Sequence, residues 1–158
     1  MNKDIPIKLK EIIKSSFEEI NTAKKSFIGS ELKDSIRVSL NQIFSFDSDE
    51  TILFAGYYTM PGSKLGLVIT DKKLHYRTSS GLFGFPKTKS QDLKTIFSLD
   101  IGFGKGKGEG LRFNTAGADL VINGLGCGTF GGWSLPDEDE ELLSKMFNKI
   151  SSINLTKF

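Results

Sequence analysis

Apolar side chains fall at Ile5, Leu9, Ile12, Ile13, Phe17, Ile20, Ala23 and Phe27, in steps of three and four. That spacing predicts a helix over residues 5–27 with one apolar stripe, the charged Lys8, Lys10, Lys14, Glu18 and Glu19 lying on its other side. Gly29 interrupts, Ser30-Glu31 suits a new helix start, and Leu32, Ile36, Leu40, Ile43 and Phe44 repeat the pattern. The first 46 residues are thus expected to form an arm of about two helices, hairpinned or kinked. Its stripe at Leu9, Ile13, Phe17 and Ile20 needs a cover, and self-association is one candidate for it.

After the polar break Asp47-Ser48-Asp49-Glu50 the period changes from helical to alternating. Strands are expected over 52–58, 64–70, 74–78, 82–90, 94–103, 111–115 and 119–123, separated by turn residues such as Met60-Pro61-Gly62-Ser63, Asp71-Lys72-Lys73 and Thr115-Ala116-Gly117-Ala118. Pro86 places the fourth of these at an edge or a bulge. Residues 102–110 and 124–132 read as glycine-rich loops. Pro136 and the acidic run Asp137–Glu141 then favour a helix start, and Leu142, Leu143, Met146, Phe147, Ile150 and Ile153 recur at helical spacing. The expected fold is α+β, mainly β: a seven-stranded antiparallel barrel or sandwich capped by a C-terminal helix and preceded by the helical arm. The corresponding division is residues 1–46 for the arm and 47–158 for the β domain.

Composition narrows the chemistry. Hydrophobic residues make up 38% and charged residues 25%, and no apolar run approaches the roughly 18 residues of a membrane span, so a cytoplasmic protein is expected, with attachment to the inner face of the membrane as a variant. One cysteine, Cys127, and one histidine, His75, exclude an internal disulfide and the common zinc sites; no metal and no cofactor are expected. The net charge of +2 is uneven: residues 51–134 hold ten basic against five acidic side chains, whereas both flanks are mildly acidic.

Catalytic patterns are thin. His75 sits in a strand beside Tyr76, where neighbours point to opposite faces, and nothing pairs it with Cys127; no enzyme is expected. Gly126–Gly131 matches G-x-G-x-x-G, but a dinucleotide site needs a continuing βαβ unit, and only one helix follows. The loop Gly102–Gly110 carries Lys105 and Lys107 among glycines, yet lacks the spacing and the Ser or Thr of a phosphate loop. Nucleic-acid binding is not expected, since no recognition motif accompanies the pI of about 8.6. Leu82, Phe83 and Phe85, flanked by Arg77, Lys87 and Lys89, form a candidate apolar tip for a membrane or partner groove.

The run Leu67–Arg77, an apolar strand followed by Thr-Asp-Lys-Lys and then Leu-x-Tyr-Arg, resembles the second and third strands of bacterial pleckstrin-homology-like and GRAM-like domains. Ser79–Gly84 with Lys87-Thr88-Lys89 is similar to their glycine turn and basic stretch, and Asp92–Ile96 to the segment that introduces their fifth strand. The resemblance covers roughly residues 50–152. It implies a non-catalytic binding or scaffold module acting through protein contacts and self-association. It also marks Lys72, Lys73 and Arg77 as candidate anion or lipid contacts; Lys87 and Lys89 beside the apolar tip, and Lys105 and Lys107 in the glycine-rich loop, are candidates on their own residues. The first alternative is a peripheral binder of anionic lipid through a basic and apolar hairpin tip. The second is a binder of small molecules or nucleotide phosphates through a glycine loop.

Overall fold

The computed structural model describes residues 4–20, 23–60, 63–78, 87–103, 118–125, 129–131 and 139–153. Helix α1 (Asp4–Glu19) is followed by strand β1 (Ser26–Ile28), a 3-10 turn (Gly29–Glu31) and helix α2 (Asp34–Asn41). Strands β2 (Ile52–Met60), β3 (Ser63–Thr70), β4 (Lys73–Thr78) and β5 (Lys87–Asp92) come next, then a 3-10 turn (Leu93–Thr95). Strands β6 (Ile96–Phe103), β7 (Ala118–Gly124) and β8 (Thr129–Gly131) and helix α3 (Glu140–Ser151) complete the order. Two antiparallel sheets result, β1-β2-β3-β4-β5 and β6-β7-β8. The α+β class and the closing helix match the sequence reading.

Alternation along the central strands decides which side chains meet. Leu67, Ile69, Leu74 and Tyr76 point to one face of the large sheet and join Phe54, Ile96, Leu99 and Ile122 in the main core. Helices α1 and α3 cover that face with Leu9, Ile13, Leu143, Met146, Phe147 and Ile150. Phe54 stands between Phe17 and Phe147, with ring centroids 6.4 and 6.5 Å away. On the opposite face Ala55 and Val68 pack with Leu32, Leu40, Ile43 and Phe44 from the α2 segment in a smaller cluster. The large sheet is therefore covered on both sides, each by a different part of the N-terminal 46 residues.

Four expectations change. The first helix stops at Glu19, well short of Phe27, which lies in β1 opposite Ala55. Phe27 fits the helical spacing, but pairing with the edge of β2 satisfies its backbone and ends the helix question. The two helices form no hairpin, because β1 intervenes and sends them to opposite faces of the sheet. The stripe marked for self-association is covered within the chain: Leu9 and Ile13 are 0% and 1% exposed, Ile20 is buried, and Phe17 packs half-buried against the main core. Finally, part of the last glycine loop is the strand β8, paired through Thr129, Phe130 and Gly131 to β7. The expected strand over 111–115 lies outside the described residues.

Gly29 has a specific reason. A Cβ there would run into the carbonyl of Ile52, so only glycine lets the 3-10 turn lie against the start of β2.

Candidate functional site

The β3–β4 hairpin turn, Asp71-Lys72, carries the basic residues singled out from sequence, and the acidic break at 47–50 folds over it. The two segments are joined by backbone first. The Asp71 amide donates to the Thr51 carbonyl at 3.0 Å, and the Thr51 amide donates to Asp71 Oδ1 at 2.8 Å. Thr70 caps the turn, its Oγ1 accepting from the amides of Lys72 and Lys73 at 3.2 and 2.8 Å. Glu50 accepts from the Asp47 amide through Oε1 at 3.0 Å.

At the centre of this junction lies a buried polar trio. Glu50 Oε2 is 2.7 Å from Thr70 Oγ1 and 2.7 Å from His75 Nε2. The Glu50 side chain is fully covered and that of His75 is 3% exposed. Burial alone pushes the Glu50 carboxyl up, but the hydrogen bonds from His75, the Asp47 amide and Thr70 outweigh it and bring it down to about 2. Glu50 is thus an acceptor at neutral pH, and His75 meets it with Nε2–H as donor. The imidazole is sandwiched edge-on by Phe44 and Phe46, with centroids 6.1 and 5.0 Å away. A carboxylate, an imidazole and a hydroxyl in contact invite comparison with acid–base catalysts. Here the Thr70 oxygen is already engaged by two amides, and none of the three presents an open face. The arrangement fastens the 47–50 segment to the hairpin.

Outside the trio, charges pair across the same junction. Lys72 bonds Asp49, and Lys73 Nζ lies 2.6 Å from Asp47 Oδ2 and 3.8 Å from Glu50 Oε1. These bonds lower the Asp49 carboxyl and raise both ammonium groups.

The remaining basic candidates fall elsewhere. Arg77 pairs in register with Thr88 and donates from Nη1 to its hydroxyl at 3.2 Å. Lys87 and Lys89 are exposed on β5 and make no ion pair among the described residues. Lys87 is opposite Thr78, at the far end of a ladder that starts with Lys73 opposite Asp92. Five residues of strand separate those ends by about 17 Å. Lys87 therefore does not converge with the hairpin-turn lysines, while Lys89, opposite Tyr76, stands partway along the ladder. Lys105, Lys107, Leu82, Phe83 and Phe85 lie outside the described residues.

Two further fastenings have no counterpart in the sequence reading. Buried Asp139 accepts from the Lys24 amide at 2.8 Å through Oδ1 and from the Lys25 amide at 3.0 Å through Oδ2, tying the segment before β1 to the start of α3. Glu19, at the end of α1, bonds Lys145 and Lys149 of α3, and these bring its carboxyl down to about 2. Asp139 looked like one more acidic residue of a helix start; nothing local in the sequence points to its partners.

Among the described residues no group of His, Cys, Asp and Glu could hold a metal ion, and no helix is long and apolar enough to cross a membrane. Comparison with protein-family models, with curated proteins and with solved structures returns no match.

Proposed function

We propose that the chain is a non-catalytic binding module of pleckstrin-homology-like type that works through protein contacts, a second copy of itself included. The strand order supports the family reading. After the N-terminal segment come a four-strand meander, β2 to β5, a three-strand meander, β6 to β8, and a closing helix. The observation that carries the contact role is the outer edge of β5. This strand pairs with β4 on one side, with no strand on the other among the described residues, and Lys87, Thr88, Lys89 and Ser90 are all exposed. An edge strand of a sheet is a template for another strand.

The sequence of β5, Lys-Thr-Lys-Ser-Gln-Asp, is compatible with itself across a two-fold axis. An antiparallel pairing centred between Lys89 and Ser90 sets Lys87 of one copy opposite Asp92 of the other and keeps like charges apart. The contact thus moves from the buried α1 stripe to the sheet edge. The anionic-membrane alternative draws on four lysines, two of which, Lys72 and Lys73, are already engaged by carboxylates.

Light scattering on the full chain at rising concentration tests the reading. A monomer–dimer equilibrium is expected; K87E should shift it toward monomer, and the charge swap K87E/D92K should restore it. Monomer at every concentration would remove self-association. Salt-sensitive sedimentation with anionic vesicles would favour the membrane role instead.

A further inference from the structure

We propose that the cleft enclosed by α1, the 3-10 turn after β1, α2 and the start of β2 binds a small organic phosphate. Its volume is about 400 Å³, within the range of small-ligand sites. Lys10 enters it from α1, Ser30 from the 3-10 turn, and Arg37 and Asn41 from successive turns of α2. The wall behind them is apolar, with Phe46 and Ile52.

This cleft gathers several donors in one place. Several lysines elsewhere have carboxylate partners, Lys14 with Glu18, Lys72 with Asp49, Lys73 with Asp47, and Lys145 and Lys149 with Glu19, whereas Lys87 and Lys89 lie apart on the exposed β5 edge. In the cleft the Lys10 ammonium, the Ser30 hydroxyl and the Asn41 amide make no hydrogen bond or ion pair among the described residues. Arg37 makes one bond, from Nη2 to the Gly29 carbonyl at 2.8 Å. That bond holds the guanidinium against the wall and leaves its other N–H groups for an acceptor. Glu50 also lines the cleft, but its carboxylate is buried and turned to His75, Thr70 and the Asp47 amide, so it pairs with neither cation.

Two cations with hydroxyl and amide donors match a phosphate dianion. The anchored guanidinium adds the planar fork that grips two phosphate oxygens together, a better fit than to a single small carboxylate. The apolar wall gives the phosphate an organic substituent. The same head could come from a free phosphoester or from a phospholipid, and a cleft of about 400 Å³ is of a size for the free molecule.

The test is an amide chemical-shift titration of the ¹⁵N-labelled full chain with phenyl phosphate at constant ionic strength. Saturable shifts are expected at Lys10 and along Gly29–Asn41, with inorganic phosphate weaker because it forgoes the apolar wall. K10Q and R37Q should each weaken binding about tenfold. Lys10 is exposed and unpaired, so K10Q keeps the native spectrum and remains informative if R37Q disturbs the turn at Gly29. Shifts that do not saturate, that centre on Lys87 and Lys89, or that persist unchanged in K10Q would overturn the site. Equal affinity for inorganic phosphate would overturn the organic substituent. Sedimentation with phosphatidic acid vesicles, without cleft shifts from phenyl phosphate, would overturn the free-molecule assignment.

Discussion

The two faces of the large sheet are covered by different physics. One face is closed by α1, α3 and the second sheet, with seventeen buried apolar residues in one continuous cluster among the described residues. The other is closed by the α2 segment over six among the described residues, and the cover is completed by the Glu50–His75–Thr70 trio and the charged rim around it. Burial of apolar surface is indifferent to pH, whereas a buried carboxylate is not. The first face should therefore set the stability of the chain and the second its response to acid. The largest expected effect belongs to the first. Phe54→Ala removes the ring wedged between Phe17 and Phe147 at a site with 0% exposure, and should destabilise by about 4 kcal/mol. Chemical denaturation at pH 7 and pH 5 should give the same loss. A loss that differed between the two would break the comparison.

Glu50→Gln probes the other face. It leaves His75 and Thr70 facing a neutral amide in a buried site, and weakening the hydrogen bonds they make to a charged carboxylate costs about 2 kcal/mol. The pH dependence has a definite sign. The folded Glu50 carboxyl lies at about 2, below its ordinary 4.5. Its stabilisation is thus complete above pH 4.5 and is lost as pH falls toward 2. Glu19 titrates in the same window, so the comparison belongs in a Glu19→Gln background. There the Glu50→Gln chain should lose less stability between pH 4.5 and pH 2 than the chain that keeps Glu50. Equal slopes would mean that Glu50 contributes nothing through its charge.

Much of the first face was legible because its signals are local. The alternation through Leu67, Ile69, Leu74 and Tyr76 and the helical spacing from Leu142 to Ile150 each follow from a period within one element. The second face was not legible in this way. Glu50 and His75 are 25 residues apart, and no spacing rule joins an acidic break to a strand histidine. The short strands β1 and β8 were missed because three residues carry no period; Phe27 even fitted the wrong one. Among candidate contacts, charge at Lys72 and Lys73 was readable but its neutralisation was not, since that depends on where residues 47–50 fold back. The cleft donors Lys10, Ser30, Arg37 and Asn41 looked like ordinary surface residues until two helices and a turn brought them together.

Asp139 offers a finer comparison, because it fastens the chain on the apolar side through a carboxylate. Asp139→Asn keeps one acceptor oxygen for the Lys24 or Lys25 amide and loses the other along with the charge, at a cost of about 1.5 kcal/mol. Amide exchange at Lys24 and Lys25 should accelerate more than exchange in β3. Uniform acceleration would mean that the segment opens only when the whole chain unfolds.

The smallest effect tests the rim. Lys72 and Asp49 bond at the surface, where solvent and salt weaken an ion pair and ordering two side chains offsets its gain. Lys72→Ala should therefore leave the denaturation midpoint essentially where it was, in low salt and in high. Lys73 is more enclosed and faces both Asp47 and buried Glu50, so Lys73→Ala should lower the midpoint, and more so at low salt. If Lys72→Ala destabilised as much as Lys73→Ala, the rim would be acting as one network with the trio rather than as a screen around it. The polar face would then owe its stability to the whole set of charges, and the division between a buried carboxylate that matters and surface pairs that do not would have to be redrawn.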